Sequence, residues 1–337
     1  ANLNSEQIDL CCLKRKNKIG DKGAQNIGLG LSYCTQLTNL QFGISNNQIG
    51  DDGASTIGTA LGNCKFLTHL NFNISKNKIG DKGAQNIGLG LSQCTQCTQL
   101  TNLEFGISQN QIRDDGASTI GTALGNCKFL THLNFNISEN KIGDKGAHNI
   151  GLGLWNCIQL VNLEFYIDSN QIRDYGASTI GTALGNCKLL KNLIFYIWEN
   201  KIGDKGAYKI GLGLSNCTQL TNLKFNIVQN QISDDGASKI GSAIANCKFL
   251  TDLEFKIQKN KFGDKGVQDI ALGLSNCTQL TSLDICLNEK FLKSSEIINC
   301  KNIKLLKLSL EEETEKAKTE NKRLAQKITR LVKFIIN

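Results

Sequence analysis

The residues best suited by type to chemistry are three histidines, a closely spaced cysteine pair and a recurring Asp-x-Gly turn. Cys94-Thr-Gln-Cys97 has the spacing of a metal or redox pair, but a structural zinc needs four ligands and no partner pair stands elsewhere in the chain. Cys97-Thr98-Gln99 also repeats Cys94-Thr95-Gln96, the mark of a tandem slip. His69 and His132 fall in the same slot of separate units and His148 lies in a helical stretch; none is tied to a Ser or Cys nucleophile signature. Glycine pairs such as Gly28-Leu-Gly30 lie inside helical patterns, away from any strand-to-helix phosphate loop. The Asp-x-Gly turns match part of a calcium loop yet lack its ligand series and terminal Glu. A non-enzyme is expected, with no catalytic residue, metal or cofactor.

The elements that would position any site are repeats. Gly-Ala recurs at Gly23, Gly53, Gly83, Gly116, Gly146, Gly176, Gly206 and Gly236, with Gly266-Val267 as a worn ninth copy. The step is 30 residues except across the duplicated Cys-Thr-Gln, where it is 33. Such a period means a stacked array, each unit burying its apolar face against its neighbours. In the unit Leu37 to Cys64, apolar and polar residues alternate from Leu40 through Phe42 to Ile44, which predicts a strand with one buried face. Gly50-Asp51-Asp52-Gly53 is a turn, and Ala54, Ile57, Gly58 and Leu61 give a short helix one apolar face. Asp51 is placed to cap that helix. The Gly28, Gly58, Gly88 column is expected to pack helix closely on sheet. Asn17, Asn47, Asn77, Asn110, Asn140, Asn170, Asn200, Asn230 and Asn260 fall where each strand ends; their amides are expected to satisfy turn backbone as a structural ladder.

The pattern Leu-x-x-Leu-x-Phe-x-Ile-x-x-Asn-x-Ile-Gly-Asp-x-Gly-Ala-x-x-Ile-Gly resembles a leucine-rich repeat of the ribonuclease-inhibitor-like class, over about residues 7–310. Two extra residues separate Phe from Asn, a variant similar to arrays common among proteins of ciliated protists. The resemblance implies an α/β solenoid: a right-handed βα horseshoe with a parallel sheet on the concave face and helices on the convex face. It divides the chain into an N-terminal capping or degenerate repeat at 1–36, regular repeats at 37–279, and degenerate repeats with a capping helix and strand at 280–337. It also implies a protein–protein interaction scaffold, with a structural component of a cytoskeletal or ciliary assembly as the alternative. Some members of the class stimulate GTP hydrolysis by small GTPases, and Arg15, Arg113 or Arg173 would then be finger candidates, although the last two sit in the ordinary turn motif.

Composition narrows the setting. Fourteen cysteines would suit a disulfide scaffold, but Cys34, Cys64, Cys97, Cys127, Cys157, Cys187, Cys217, Cys247 and Cys277 share one repeat position. A column of that kind reads as buried free thiols in a reducing compartment, hence the cytoplasm. No signal peptide or membrane-length apolar run is seen, and a first residue other than Met suggests processing or a fragment. The formal charge of +8 is concentrated near the ends. Between them, alternating turns set Lys22 and Lys82 beside Asp52 and Lys145 beside Asp115, so no continuous basic stripe is available for nucleic acid. The partner is expected to be another protein, not nucleic acid or membrane, taken by a chain that is monomeric alone.

The concave slots are mostly small and polar: Asn39, Gln41, Gly43; His69, Asn71, Asn73; Asn102, Glu104, Gly106; His132, Asn134, Asn136. Residues 160–198 and Val228 break that monotony. Tyr166, Asp168, Ile194, Tyr196, Trp198 and Val228 form the candidate partner-binding patch, its tyrosines on adjacent strands about 4.8 Å apart. Exposed aromatics of this kind make interface hot spots, so Tyr196→Ala and Trp198→Ala are expected to weaken binding with little change in melting. Trp155 and Tyr175 also break the repeat, away from this face. At the ends, Leu10 and Cys12 point to a defective first strand, and Ile303, Leu306, Leu308 and Leu310 to a late one. Residues 311–330 read as a capping helix, or as a short coiled-coil seam through Ala317, Asn321, Leu324, Ile328 and Leu331, before a last strand with Phe334 and Ile336.

Overall fold

Alternating apolar residues bury one face of every strand, and the repeat restates that instruction throughout the array. The computed structural model describes residues 7–10, 17–95, 100–287, 302–310 and 333–336. The strands are β1 (Gln7–Asp9), β2 (Asn39–Gly43), β3 (His69–Asn73), β4 (Asn102–Gly106), β5 (His132–Asn136), β6 (Asn162–Tyr166), β7 (Asn192–Tyr196), β8 (Asn222–Asn226), β9 (Asp252–Lys256), β10 (Ser282–Leu287), β11 (Leu305–Leu310) and β12 (Lys333–Ile336). They make one parallel sheet in sequence order, so each strand has its chain neighbours beside it. The helices are α1 (Gly20–Ser32), α2 (Asp51–Leu61), α3 (Asp81–Thr95), α4 (Asp114–Leu124), α5 (Asp144–Trp155), α6 (Asp174–Leu184), α7 (Asp204–Asn216), α8 (Asp234–Asn246) and α9 (Asp264–Ser275). They lie side by side on the buried face of the sheet, each touching the next.

Register follows from the repeat. Leu40 stands opposite Leu70 and Phe42 opposite Phe72, and the correspondence continues to Phe225 opposite Phe255. Eight phenylalanine rings therefore form one buried row with centroids 5.2–5.8 Å apart. Full burial of each ring stabilises the stack by roughly 1.5–3 kcal/mol. The rings stack within 15° except between Phe135 and Phe165, tilted by 59°, where the first tyrosine of the open face enters.

The asparagines at the strand ends tie the turns together. Asn140 Nδ2 donates to the carbonyls of Ile107 (3.2 Å), Ile137 (3.2 Å) and Ser138 (3.1 Å), and its Oδ1 accepts from Ile112 N–H (3.1 Å). Asn77, Asn110, Asn170, Asn200, Asn230 and Asn260 make the same bonds to their own and the preceding repeat. Asn47 bonds within its own turn and accepts from the Asn17 backbone at the exposed start of the row. Each amide thus satisfies backbone groups that would be orphaned in the interior.

Two local readings need correction. Asp51 does not cap its own helix: it is the first residue of α2, whose N-cap is Gly50 with no side-chain bond. Its Oδ1 instead accepts from Gly80 N–H (2.7 Å) and Gly83 N–H (2.9 Å), at the start of α3. Asp21, Asp81, Asp114, Asp144, Asp174, Asp204 and Asp234 likewise serve the following helix. Parallel helices set their positive ends in a row, so a first-turn carboxylate reaches the orphan donors next door. The glycine column, expected between helix and sheet, packs helix on helix. A methyl on Gly58 would lie 2.5 Å from the Asn86 carbonyl carbon of α3, and one on Gly90 would overlap the Gly58 carbonyl oxygen. Only hydrogen fits between these two backbones.

At the ends, Leu10 and Ile8 pack partly buried on the core, and β11 and β12 carry the sheet onward. Cys12, Arg15, Cys97 and residues 311–330, the predicted capping helix or coiled coil, lie outside the described residues. Cys94 is a buried thiol facing Cys64 and Cys127, because α3 runs on to Thr95 and takes in the first duplicate copy.

Candidate protein-binding surface

Outward positions on the strands leave one broad face of the sheet open, and its character changes along the array. From β2 to β5 it is amide-rich. Asn71 Nδ2 donates to Glu104 Oε2 (2.6 Å) and Asn134 Nδ2 to Glu164 Oε2 (2.9 Å). Where Gly106 supplies no side chain, a depression of about 290 Å³ opens between Asn71, Asn73, Glu104, Asn136 and Tyr166. From β8 to β11 the face is charged: Glu254 pairs with Lys256 (2.5 Å) and Lys224 (3.8 Å), and Asp284 with Lys307 (2.8 Å).

The aromatic patch lies between these regions. Tyr166 and Tyr196 are register partners on β6 and β7, with centroids 5.3 Å apart and rings edge to face at 87°. That geometry suits the ring quadrupole and adds about 0.5–1.5 kcal/mol to area burial. Tyr166 Oη donates to Glu164 Oε2 (3.0 Å); burial first, then that carboxylate, pushes the phenol pKa up. Ile194, Trp198 and Val228 border the pair. None of these side chains is fully exposed, as the sequence reading had supposed: Tyr166, Ile194, Tyr196, Trp198 and Val228 are half-buried, because each outward side chain is flanked by those of the adjoining strands. Truncating a ring here therefore costs some stability as well as contact area.

Asp168 is more deeply placed, at 6% exposure. Burial raises its carboxyl to about 7, Glu139 and Glu199 push the same way, and its own backbone N–H opposes them. Glu139 and Glu199 escaped the sequence reading. They belong to a column with Asn46, Lys76, Gln109, Ser169, Gln229 and Lys259, all at φ between +50° and +62°. No glycine marks this left-handed turn, so only a comparison among the chain's own copies exposes the two acids.

The remaining candidates have other surroundings. His69 and His132 Nδ1 each lie 2.9 Å from the hydroxyl of the preceding threonine. His148 Nδ1 meets Thr179 Oγ1 (2.8 Å), and its ring stacks on exposed Tyr175 at 4.7 Å. Trp155 is half-exposed on the helix side. Arg113 and Arg173 stand at the N-caps of α4 and α6, their backbone N–H groups bound by Asp81 and Asp144. Lys82 reaches Asp52 (3.2 Å) and Lys145 reaches Asp115 (2.8 Å), whereas among the described residues Lys22 forms no ion pair with Asp52. Ten described cysteines are buried thiols. Burial pushes Cys64, Cys187, Cys217 and Cys247 to about 12, so these thiols stay protonated. Among the described residues, no three His, Cys, Asp or Glu side chains form a metal-holding group, and no helix is long and apolar enough to cross a membrane.

A family profile agrees with this repeat organisation. The family profile described as Leucine Rich repeat matches residues 36–58, 63–88, 126–151 and 219–241. No curated protein matches the chain. Among solved structures, the chain is similar to an internalin (inlF) from Listeria monocytogenes, at 20% identity over 99% of this chain and 97% of that one, with TM-score 0.39. A leucine-rich-repeat protein of Leptospira interrogans shares 14% identity over 93% of this chain and 74% of its own, with TM-score 0.45. Internalin C2 from Listeria monocytogenes shares 18% identity over 83% and 84%, with TM-score 0.39. With four repeats matching the profile and one strand and one helix recurring in register along the array, the chain is a leucine-rich-repeat protein.

Proposed function

We propose that this protein is a non-catalytic interaction scaffold that takes a partner protein on the open face of the sheet, around β6 to β8. The observation that carries this reading is internal. Ahead of Tyr166 the slot it shares with Tyr196 holds Gly or Asn, and ahead of Asp168 the slot it shares with Trp198 holds Ser, while the buried slots beneath scarcely change. Half-exposed rings beside a polar depression supply the apolar centre and hydrogen-bonding rim of an interface. A helix on each return from β1 to β10 and a thirty-residue unit favour the ribonuclease-inhibitor-like class. Buried free thiols favour a reducing compartment, the cytoplasm.

A second reading, a structural part of a cytoskeletal or ciliary assembly held by the helix side, draws on a different feature. Leu29, Leu89, Leu152, Leu212 and Leu272 recur half-exposed on alternate helices, with Phe66, Phe129, Leu189 and Phe249 in the intervening repeats. Amine cross-linking of complexes isolated from the native cells separates the two. Links from Lys224 and Lys256 place the partner on the open face. Links confined to Lys22, Lys145, Lys205 and Lys265 place it on the helices and defeat the first reading.

A further inference from the structure

We propose that the open face receives a lysine or arginine side chain from a basic segment of its protein partner, at Asp168 between Glu139 and Glu199, with Trp198 as the apolar wall. This rests on the reading of the open face as the partner-binding surface, and it adds the chemistry of the partner.

Ser45, Ser75, Ser108, Ser138, Asp168, Trp198 and Val228 occupy one slot in successive repeats. The hydroxyls close local bonds there: Ser75 Oγ accepts from Ser108 N–H (3.2 Å), and Ser138 Oγ donates to Asn136 Oδ1 (2.8 Å). Asp168 brings a carboxylate into this almost fully covered slot; its own backbone N–H answers it, and among the described residues no lysine or arginine pairs with it. The neighbours add charge of the same sign. Glu139 N–H donates to the Asp168 carbonyl (3.0 Å), which seats Glu139 directly beside it. Ser169 N–H donates to the Trp198 carbonyl (2.9 Å) and Ser169 Oγ to Glu199 Oε2 (2.9 Å), which sets Glu199 on the other flank.

Three carboxylates with no ion-paired cation among the described residues, in a chain of net charge +8, form a local hole for positive charge. The ring of Trp198 and the Tyr166–Tyr196 pair decide what kind of cation fits. A long aliphatic stem lies against aromatic carbon while its charged head meets carboxylate. Lysine and arginine have that shape, and a hydrated metal ion does not.

The acids facing Asp168 are Glu139 from the preceding repeat and Glu199 from the following one, with the Tyr166 phenol on its own strand. A cation binds the ionised carboxylate, so affinity rises as pH passes upward through about 7 and binding releases a proton near that pH. The test is titration of the intact protein with labelled hexalysine at pH 8 and pH 5.5, using hexaglutamate as the control. Wild type is expected to bind hexalysine at least tenfold tighter at pH 8, and to ignore hexaglutamate. Asp168→Ser, the residue of the equivalent slots, and the isosteric Asp168→Asn should each weaken binding about tenfold and remove the pH dependence, with unchanged circular dichroism. Equal affinity in both variants overturns the proposal, as does calcium protecting the protein from heat where hexalysine does not. If both variants are silent while native cross-links from Lys224 and Lys256 persist, the surface reading stands and this one falls.

Discussion

The two faces of each strand obey opposite rules. Inward, Leu40, Phe42 and Ile44 recur with the same residue types through Leu223, Phe225 and Ile227, all buried in register. Outward, the slot of Gly43 becomes Asn73, Gly106, Asn136, Tyr166, Tyr196, Asn226 and Lys256. The difference teaches where each property of the molecule resides. The inner face and the asparagine and aspartate bonds between repeats hold the stack. The open face varies from repeat to repeat while the stack persists, which leaves it available for the recognition proposed above.

That contrast is broken most severely from the inside. Asn140→Ala leaves the Ile107, Ile137 and Ser138 carbonyls short of a donor and Ile112 N–H without its acceptor, at a cost of about 3–5 kcal/mol in denaturant unfolding. Gly90→Ala drives a methyl into the Gly58 carbonyl and must separate α2 from α3. About 3 kcal/mol is expected, together with hydrogen exchange quickened in those two helices alone. On the open face the sign reverses. The folded-state pKa of Asp168 is raised, so folding loses stability as pH climbs from about 4 to about 7. Asp168→Ser should therefore stabilise the protein by about 2 kcal/mol at pH 8 and leave it unchanged at pH 3.5, read from denaturation at both values. Lys145→Ala, on the outer rim of the helices, should leave the melting temperature unmoved, since an exposed pair is screened by water and salt.

Much of this order was legible in the residues. Period-two alternation located β2 to β9, and the Asp-x-Gly-Ala turn located the helices, because each signal is local, the first restated in eight strands and the second at the head of nine described helices. What crosses between repeats was harder to read. Asp51 looked like the cap of its own helix because capping rules count along one chain, whereas its acceptor role is exercised 29 and 32 residues on. The glycine column announced close packing but not its partner; helix on helix emerged only once the parallel α2 and α3 lay side by side. The spacing put Cys97 in the thiol column, and only the length of α3, which reaches Thr95, shows Cys94 buried there. At the candidate site, Tyr166, Tyr196 and Trp198 stood out as departures from the copies. Their half-burial did not, because it depends on neighbouring strands, and Glu139 and Glu199 were hidden in a turn that no glycine marks.

The division between holding face and recognising face is tested most directly by calorimetric melting of Asn140→Ala beside the double variant Tyr196→Asn/Trp198→Ser, which installs residues native to equivalent slots. The single inward change should lower the melting temperature further than the two outward changes combined. If the double variant melts below Asn140→Ala, the open face belongs to the core and the account is contradicted.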